Sequence, residues 1–350
     1  MSAKYHYVAG TGGVGKGILF KLQGDHDLGR NESRLGELTG DTDYCKLHII
    51  LTYVAAFSVA GIPIYAVSRV GDDPVGRELL ACMEKTGIGT EFMGLSGQES
   101  TMYSVCYQFP GGEGGNITAA NGANNSVCEA DIQAFFRQAP LERTGGRGMV
   151  LAAPEVPMAA RLCLLAEGRK HGCFNVASVL SGEVGDFAKG GGFALTDLLA
   201  VNEDEAAAIA AFAGSGKDAD SALACYGYVK TQNPHAAVAV TCGKNGSYAF
   251  HEGRCHHAGA IAVRAKNTAG AGDCYLGTMM ACLLQGLPIM PEAAEKGVLS
   301  SAQEISTLAA ALKVQCGDTI DFSLCPASIF RFAKEKGLRF SPQAEALFKE

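Results

Sequence analysis

The run Asn267-Thr268-Ala269-Gly270-Ala271-Gly272-Asp273 joins a glycine turn to a carboxylate and leads straight into an apolar stretch that reads as a helix. Gly270 and Gly272 let the backbone approach an anion without a Cβ in the way. The N–H groups that open a helix have no intrahelical partners, so they point at whatever negative charge sits there. Such a segment can hold a phosphoryl group. Asp273 would lie beside that phosphate, where like charge makes it useless as a ligand; the task left to it is to take a proton from a hydroxyl as that oxygen attacks. A plainer reading of the same residues is a strand-to-helix turn whose acidic residue is favoured by the helix dipole. The run by itself leaves both readings open.

The elements that must position this loop alternate between strand and helix patterns, which predicts a mostly parallel sheet covered on both faces. Met149-Val150-Leu151, Phe174-Asn175-Val176, Leu198 to Val201 and Ala237 to Val240 are short apolar runs suited to strands buried on both sides. Ile49 to Ala60 reads as a buried helix stopped by Gly61 and Pro63, Tyr65 to Val70 as a strand, and Pro74 as the start of another helix. Two regions break the alternation. Residues 16–45 are polar and glycine-rich, and residues 91–121 read as paired strands around Gly111 to Gly115; both suit a small flap at the sheet edge.

At 350 residues, with 47% hydrophobic and 19% charged, the chain has the profile of a soluble protein with a substantial core. A net charge of −7 without a long Lys/Arg run argues against nucleic acid or an anionic membrane as partner, since both need clustered cations. Thirteen cysteines form no Cys-x-x-Cys pair, so neither a zinc knuckle nor a redox dithiol is written here. With no apolar segment among the first residues, a cytoplasmic location is expected.

Asn267 to Asp273 closely resembles the signature of the ribokinase-like (phosphofructokinase-B type) carbohydrate kinases, in which the run reads Asp-Thr-x-Gly-Ala-Gly-Asp. Further segments resemble that family in order. They are Val70 to Gly76, Gly122-Ala123-Asn124, Val201 to Glu205, Thr241 to Gly246, and Ala309 to Gly317. The resemblance implies a three-layer α/β/α domain over residues 1–350, with residues near 16–45 and 91–121 forming a β lid that closes over an acceptor and excludes water. It implies ATP and Mg2+ as cofactors, with Asp273 as base and the backbone of Gly270, Ala271 and Gly272 as an anion hole. Thr241, Gly243, Gly246, Asn202 and Thr268 would contact the nucleotide, Glu205 would hold magnesium mostly through water, and Asn116 and Asn124 would meet acceptor hydroxyls.

The sequence departs from the family pattern in two places. Asn267 stands where the family usually has Asp, which removes a carboxylate from a loop that in some members helps hold a monovalent cation and argues against potassium activation. The family's early Gly-Gly-x-x-Asn element is replaced by Leu38 to His48, which argues against an ordinary ribose or fructose as acceptor.

Gly10-Thr11-Gly12-Gly13-Val14-Gly15-Lys16-Gly17 satisfies Gly-x-Gly-x-x-Gly and all but the last residue of a P-loop, yet Gly17 lacks the hydroxyl that would hold magnesium. Ile18 to Leu22 is too short for the required helix and reads as extended. The loop is expected to line the acceptor pocket instead, with Lys16, Asp27, Arg30, Asn31 and Arg34 nearby and the two arginines able to hold an anionic group. The leading expectation is an ATP-dependent kinase acting on a hydroxyl of a sugar or sugar-like molecule. The alternatives are a nucleoside or sugar-phosphate kinase and a non-catalytic sensor, and a homodimer is compatible with an exposed lid edge.

Overall fold

The computed structural model describes residues 4–59, 61–111, 114–139, 147–215 and 220–348. Ala60, the expected helix end, and Gly112-Glu113 of the expected flap turn lie outside them, as does the side chain of Asn116. The strands of the two larger sheets, in chain order, are β1 (Val8–Thr11), β2 (Gly15–Leu22), β3 (Gly36–Tyr44), β4 (Ile64–Gly71), β5 (Gly89–Ser96), β6 (Met102–Gln108), β7 (Gly114–Thr118), β8 (Met149–Ala152), β9 (Phe174–Ala177), β10 (Leu198–Asn202), β11 (Ala237–Thr241), β12 (Ser247–His251) and β13 (Arg254–Ala258).

Nine of these form one sheet in the order β13-β12-β11-β10-β9-β8-β1-β4-β5. It is parallel from β11 to β5, while β12 and β13 are antiparallel hairpin strands at one end. Its central strands are continuous apolar runs because helices cover both faces: every residue of β8 is buried, as are Leu198 to Val201 of β10 and Ala237 to Val240 of β11. This is the α/β fold the alternation predicts. A second sheet, β3-β2-β6-β7, stands apart, with β2 and β6 parallel and the outer pairs antiparallel. Residues 91–96 of the expected flap belong to β5 and hence to the large sheet.

Three helices carry the elements that matter for chemistry. Ala271–Leu284 is buried from Cys274 onward and packs in one core with Lys46–Phe57 and Ala302–Lys313. Gly277 sets the first of these contacts, since a Cβ there would sit 2.4 Å from the Ile50 carbonyl oxygen. The two helices can therefore cross closely only with hydrogen at position 277. The Pro74–Lys85 helix is capped by Asp73, which accepts from the Gly76 amide at 2.8 Å through Oδ1 and from the Thr101 amide at 2.8 Å through Oδ2. One carboxylate thus fastens the end of β4 to the start of β6. Among the described residues, no helix is long and apolar enough to cross a membrane.

Candidate active site

Two helix N-termini converge on one place. Gly270, at φ 75°, ends the glycine turn, and any side chain there would meet the Thr319 carbonyl oxygen at 2.4 Å. The turn then enters the Ala271–Leu284 helix with Asp273 in its first turn. The Ala271 amide folds back to the Thr268 carbonyl at 3.2 Å, which leaves Gly272 and Asp273 as the amides facing outward at the helix start. Beyond its own helix, the one atom of the described residues near a Cβ on Gly272 would be Thr241 Oγ1, 3.9 Å away. The end of β11 and the glycine turn therefore face each other across an open gap.

The second N-terminus belongs to Lys46–Phe57. Cys45 gives its side chain no capping bond; instead Glu155 reaches across and accepts from the Lys46 amide at 3.1 Å. The Lys46 ammonium lies 3.5 Å from Asp273 Oδ1, and Asp273, ahead of the other nearby carboxylates, holds that lysine above its ordinary pKa. Burial raises the Glu155 carboxyl from the usual range to about 7, with Lys46 pulling it down and Asp273 and Asp43 adding to the rise.

Glu155 also adopts φ 73°, a left-handed conformation uncommon for a residue with a Cβ. It is held there from two sides. Asn124 Nδ2 donates to its carbonyl at 2.5 Å, and Gly13 donates to the preceding Pro154 carbonyl at 2.9 Å. Any side chain at Gly13 would collide with Glu155 Cβ and Oε2 at 2.5 Å. The amino-terminal glycine loop thus serves close approach to Glu155, and β2 rather than a helix follows it.

The second sheet is tied to residues 318 and 319, which lie against the Gly270 turn. The Thr42 amide donates to Asp318 Oδ1 at 2.6 Å, the Tyr44 amide to Thr319 Oγ1 at 2.8 Å, and the Thr319 amide to the Thr42 carbonyl at 3.2 Å. Between these contacts Asp43 accepts from Ser104 Oγ and Cys106 Sγ, each at 3.0 Å. Burial and the Asp43 carboxylate push the Cys106 thiol up to about 12, so it remains a donor.

The pfkB family carbohydrate kinase model matches residues 53–323. The chain belongs to this family. A ribokinase of Schizosaccharomyces pombe (strain 972 / ATCC 24843) is 26% identical over 226 residues, covering 63% of this chain and 67% of that one. Among solved structures, a ribokinase from Giardia lamblia superposes with TM-score 0.75 at 18% identity, over 93% of this chain and 99% of that one. A Burkholderia thailandensis nucleoside kinase in complex with inosine gives 0.73 at 15%, over 95% and 99%. These likenesses show that the pfkB-family chain has the ribokinase fold.

The residues singled out in the sequence of this carbohydrate kinase fall in several surroundings. Lys16 is ion-paired with Glu78 at 2.7 Å, on the Pro74–Lys85 helix. Asp27, Arg30 and Asn31 are exposed on the long β2–β3 connection, where polar side chains stay solvated. Arg34 is used within that connection, donating to Glu32 at 2.6 Å and to the His26 and Asp27 carbonyls. Asn116 lies on β7, its Cα opposite Cys106. Asn124 is buried, with its amide group on Glu155. Asn202 and Glu205 form a reciprocal capping box, with Asn202 Oδ1 accepting from the Glu205 amide at 2.8 Å and Glu205 Oε2 from the Asn202 amide at 2.9 Å. Gly246, at φ 91°, turns so tightly that a Cβ would meet the Ala258 carbonyl oxygen, whereas Gly243 has open space around it.

Lys46, Glu155 and Asp43 were not singled out in the sequence. Lys46 falls in the Leu38–His48 departure, and the one signal for it was a cation opening an otherwise apolar helix. Glu155 carries no motif; its left-handed backbone is set by tertiary contacts that a sequence does not display.

Proposed function

We propose that this carbohydrate kinase transfers the γ-phosphoryl group of ATP to a hydroxyl of a neutral sugar or sugar-like acceptor, with Asp273 as the general base. The observation that carries the reading is the placement of Asp273. It occupies the first turn of a helix whose free amides face Thr241 across an open gap, and its carboxylate is steered by the Lys46 ammonium 3.5 Å away. A purely nucleotide-binding sensor gains nothing from a carboxylate beside phosphate.

Phosphate oxygens would pass between Thr241 and Gly272, where no Cβ fills the space, and the amides of Gly272 and Asp273 would take the charge that grows on them. Each such donor is worth about 3 kcal/mol in comparable anion holes. Gly243, Gly246, Thr268 and Asn202 flank the nucleotide in this reading. Glu205 keeps one carboxylate oxygen outside its capping box, which fits a water-mediated contact to magnesium. When bound, that ion screens the phosphate charge. No group of three or more His, Cys, Asp or Glu arranged to hold a metal occurs among the described residues, consistent with an ion held mostly by phosphate and water.

On the acceptor side, Glu155 and Asp43 would offer hydroxyl partners, with Asn124 and the Gly13 amide holding the Glu155 segment in place. The second sheet would act as a lid that excludes water as an alternative acceptor. Asp273, Glu205 and Glu155 act on the one ammonium there and Asp43 adds its charge beside Glu155, so a phosphorylated acceptor would be repelled and a neutral one is favoured. Neutral nucleosides remain compatible with that charge pattern.

An ATP-consumption screen over neutral sugars, polyols, nucleosides and sugar phosphates tests this. A neutral acceptor should stimulate turnover and the phosphorylated ones should not. Preferential use of sugar phosphates, or no stimulation by any acceptor, would sink the reading.

A further inference from the structure

Lys313 ends the Ala302–Lys313 helix with a side chain that has no exposure to solvent. Lysine is almost never fully buried unless paired. Among the described residues, no carboxylate lies within ion-pair distance of this one. Its Nζ instead donates to the Asn267 carbonyl at 3.4 Å and to the Ala269 carbonyl, both in the loop that feeds the Gly270 turn. Burial draws its pKa below the usual lysine value, while Cys274, Cys316, Asp273 and Asp321 act in the opposite sense.

The same loop is fastened to the chain just beyond Lys313. The amides of Lys266 and Asn267 donate to the Val314 carbonyl at 2.7 and 3.2 Å, and Asn267 Nδ2 donates to the Gly317 carbonyl at 2.6 Å. Asn267 Oδ1 accepts from the Ala269 amide at 2.9 Å. The side chain at 267 must therefore donate at one end and accept at the other, which an amide does and a carboxylate does not. With a neutral residue at 267, the ammonium of Lys313 is the charge that the two loop carbonyls face.

We propose that Lys313 is a built-in cation for the phosphoryl-binding loop, holding the Asn267 and Ala269 carbonyls so that the amides of Gly272 and Asp273 stay aimed, and freeing the loop from any need for a dissolved monovalent ion. The proposal rests on the reading of Gly270–Asp273 as the phosphoryl site. Carbonyl oxygens gathered on one positive charge are the ligands that a potassium or ammonium ion accepts; here the charge is tethered to the adjoining helix and buried, so solvent does not screen it. Lys313 is a positioning residue, since it touches the loop and not the phosphate.

The test uses the full chain with ADP, magnesium and aluminium fluoride, a phosphoryl mimic that needs no identified acceptor. In wild type, the affinity gained on adding fluoride to ADP should be the same within twofold in potassium, ammonium and choline chloride at equal ionic strength. In Lys313→Met, that gain should fall at least tenfold in choline chloride with ADP affinity unchanged, and ammonium or potassium should restore much of it. The thermal midpoint of Lys313→Met, but not of wild type, should rise with ammonium over choline. A wild type whose fluoride gain depends on potassium overturns the proposal, even if the variant fails to fold. So does a folded Lys313→Met with the full gain in choline. A wild type with no fluoride gain in any salt removes the phosphoryl-site reading and the proposal together, whereas the two preceding outcomes leave that reading intact.

Discussion

The two halves of the proposed active site are built from different materials. The phosphoryl half is backbone: one short run, Thr268 to Asp273, bends at a left-handed glycine and presents helix-opening amides opposite Thr241. The acceptor half is side chain. Lys46 and Asp43, three residues apart, meet Asn124 and Glu155 from two distant segments because a helix start and the second sheet are brought against them. A backbone site tolerates few sequences, since glycine at defined positions is the only way to make it. A side-chain site can be rebuilt from many, and in the proposed reading it is the half that would set which acceptor fits.

Breaking the link between the halves should have the largest effect. Asp273→Asn removes the base while keeping its shape, and kcat should fall by roughly 10²–10⁴ with nucleotide affinity nearly unchanged. Turnover at the wild-type rate in that variant would take Asp273 out of the mechanism. Gly277→Ala strains the crossing that sets Lys46 against Asp273, because the added methyl meets the Ile50 carbonyl. Overpacking of this kind costs about 1–3 kcal/mol, readable as a lower denaturant midpoint with an unchanged slope.

Glu155 sharpens the comparison through pH. Its folded carboxyl titrates near 7, above the 4.5 of the exposed group, so the folded state binds its proton more tightly. The sign follows: this contribution to stability is full below about pH 4.5 and is lost as pH rises through 7. Glu155→Gln should flatten that part of the stability profile. It should also remove the fall in acceptor KM expected in wild type as Glu155 ionises near 7 and becomes a stronger hydrogen-bond acceptor. A KM profile that keeps the same inflection in Glu155→Gln would assign it to another group. The smallest effect is expected from Arg30→Ala on the exposed β2–β3 connection: acceptor KM within about twofold for neutral and phosphorylated compounds alike, as surface substitutions usually behave. A selective loss for phosphorylated acceptors would restore the arginines to the site.

The legible part of the fold was the part made of continuous apolar runs. β8, β10 and β11 are buried on both faces, and their sequences say so. The Lys46–Phe57 helix was expected to begin at Ile49, because its first turn holds Lys46 and His48, polar residues that the apolar pattern skips and that the site and the core absorb. The arginines of the β2–β3 connection were read as anion ligands from their residue type alone; in the fold Arg34 is engaged by Glu32 and two carbonyls.

The sequence by itself determined the family, the layered α/β architecture and the glycine turn at a helix start, because a left-handed glycine and the amides that follow it are local properties that a short run specifies. Tertiary structure alone decided that Lys46 faces Asp273, that Glu155 is strained against Gly13, and that Lys313 is buried on the Asn267 and Ala269 carbonyls. Each of those contacts joins segments at least 44 residues apart. The energy that fixes them comes from packing and charge across the core, which no window of sequence contains.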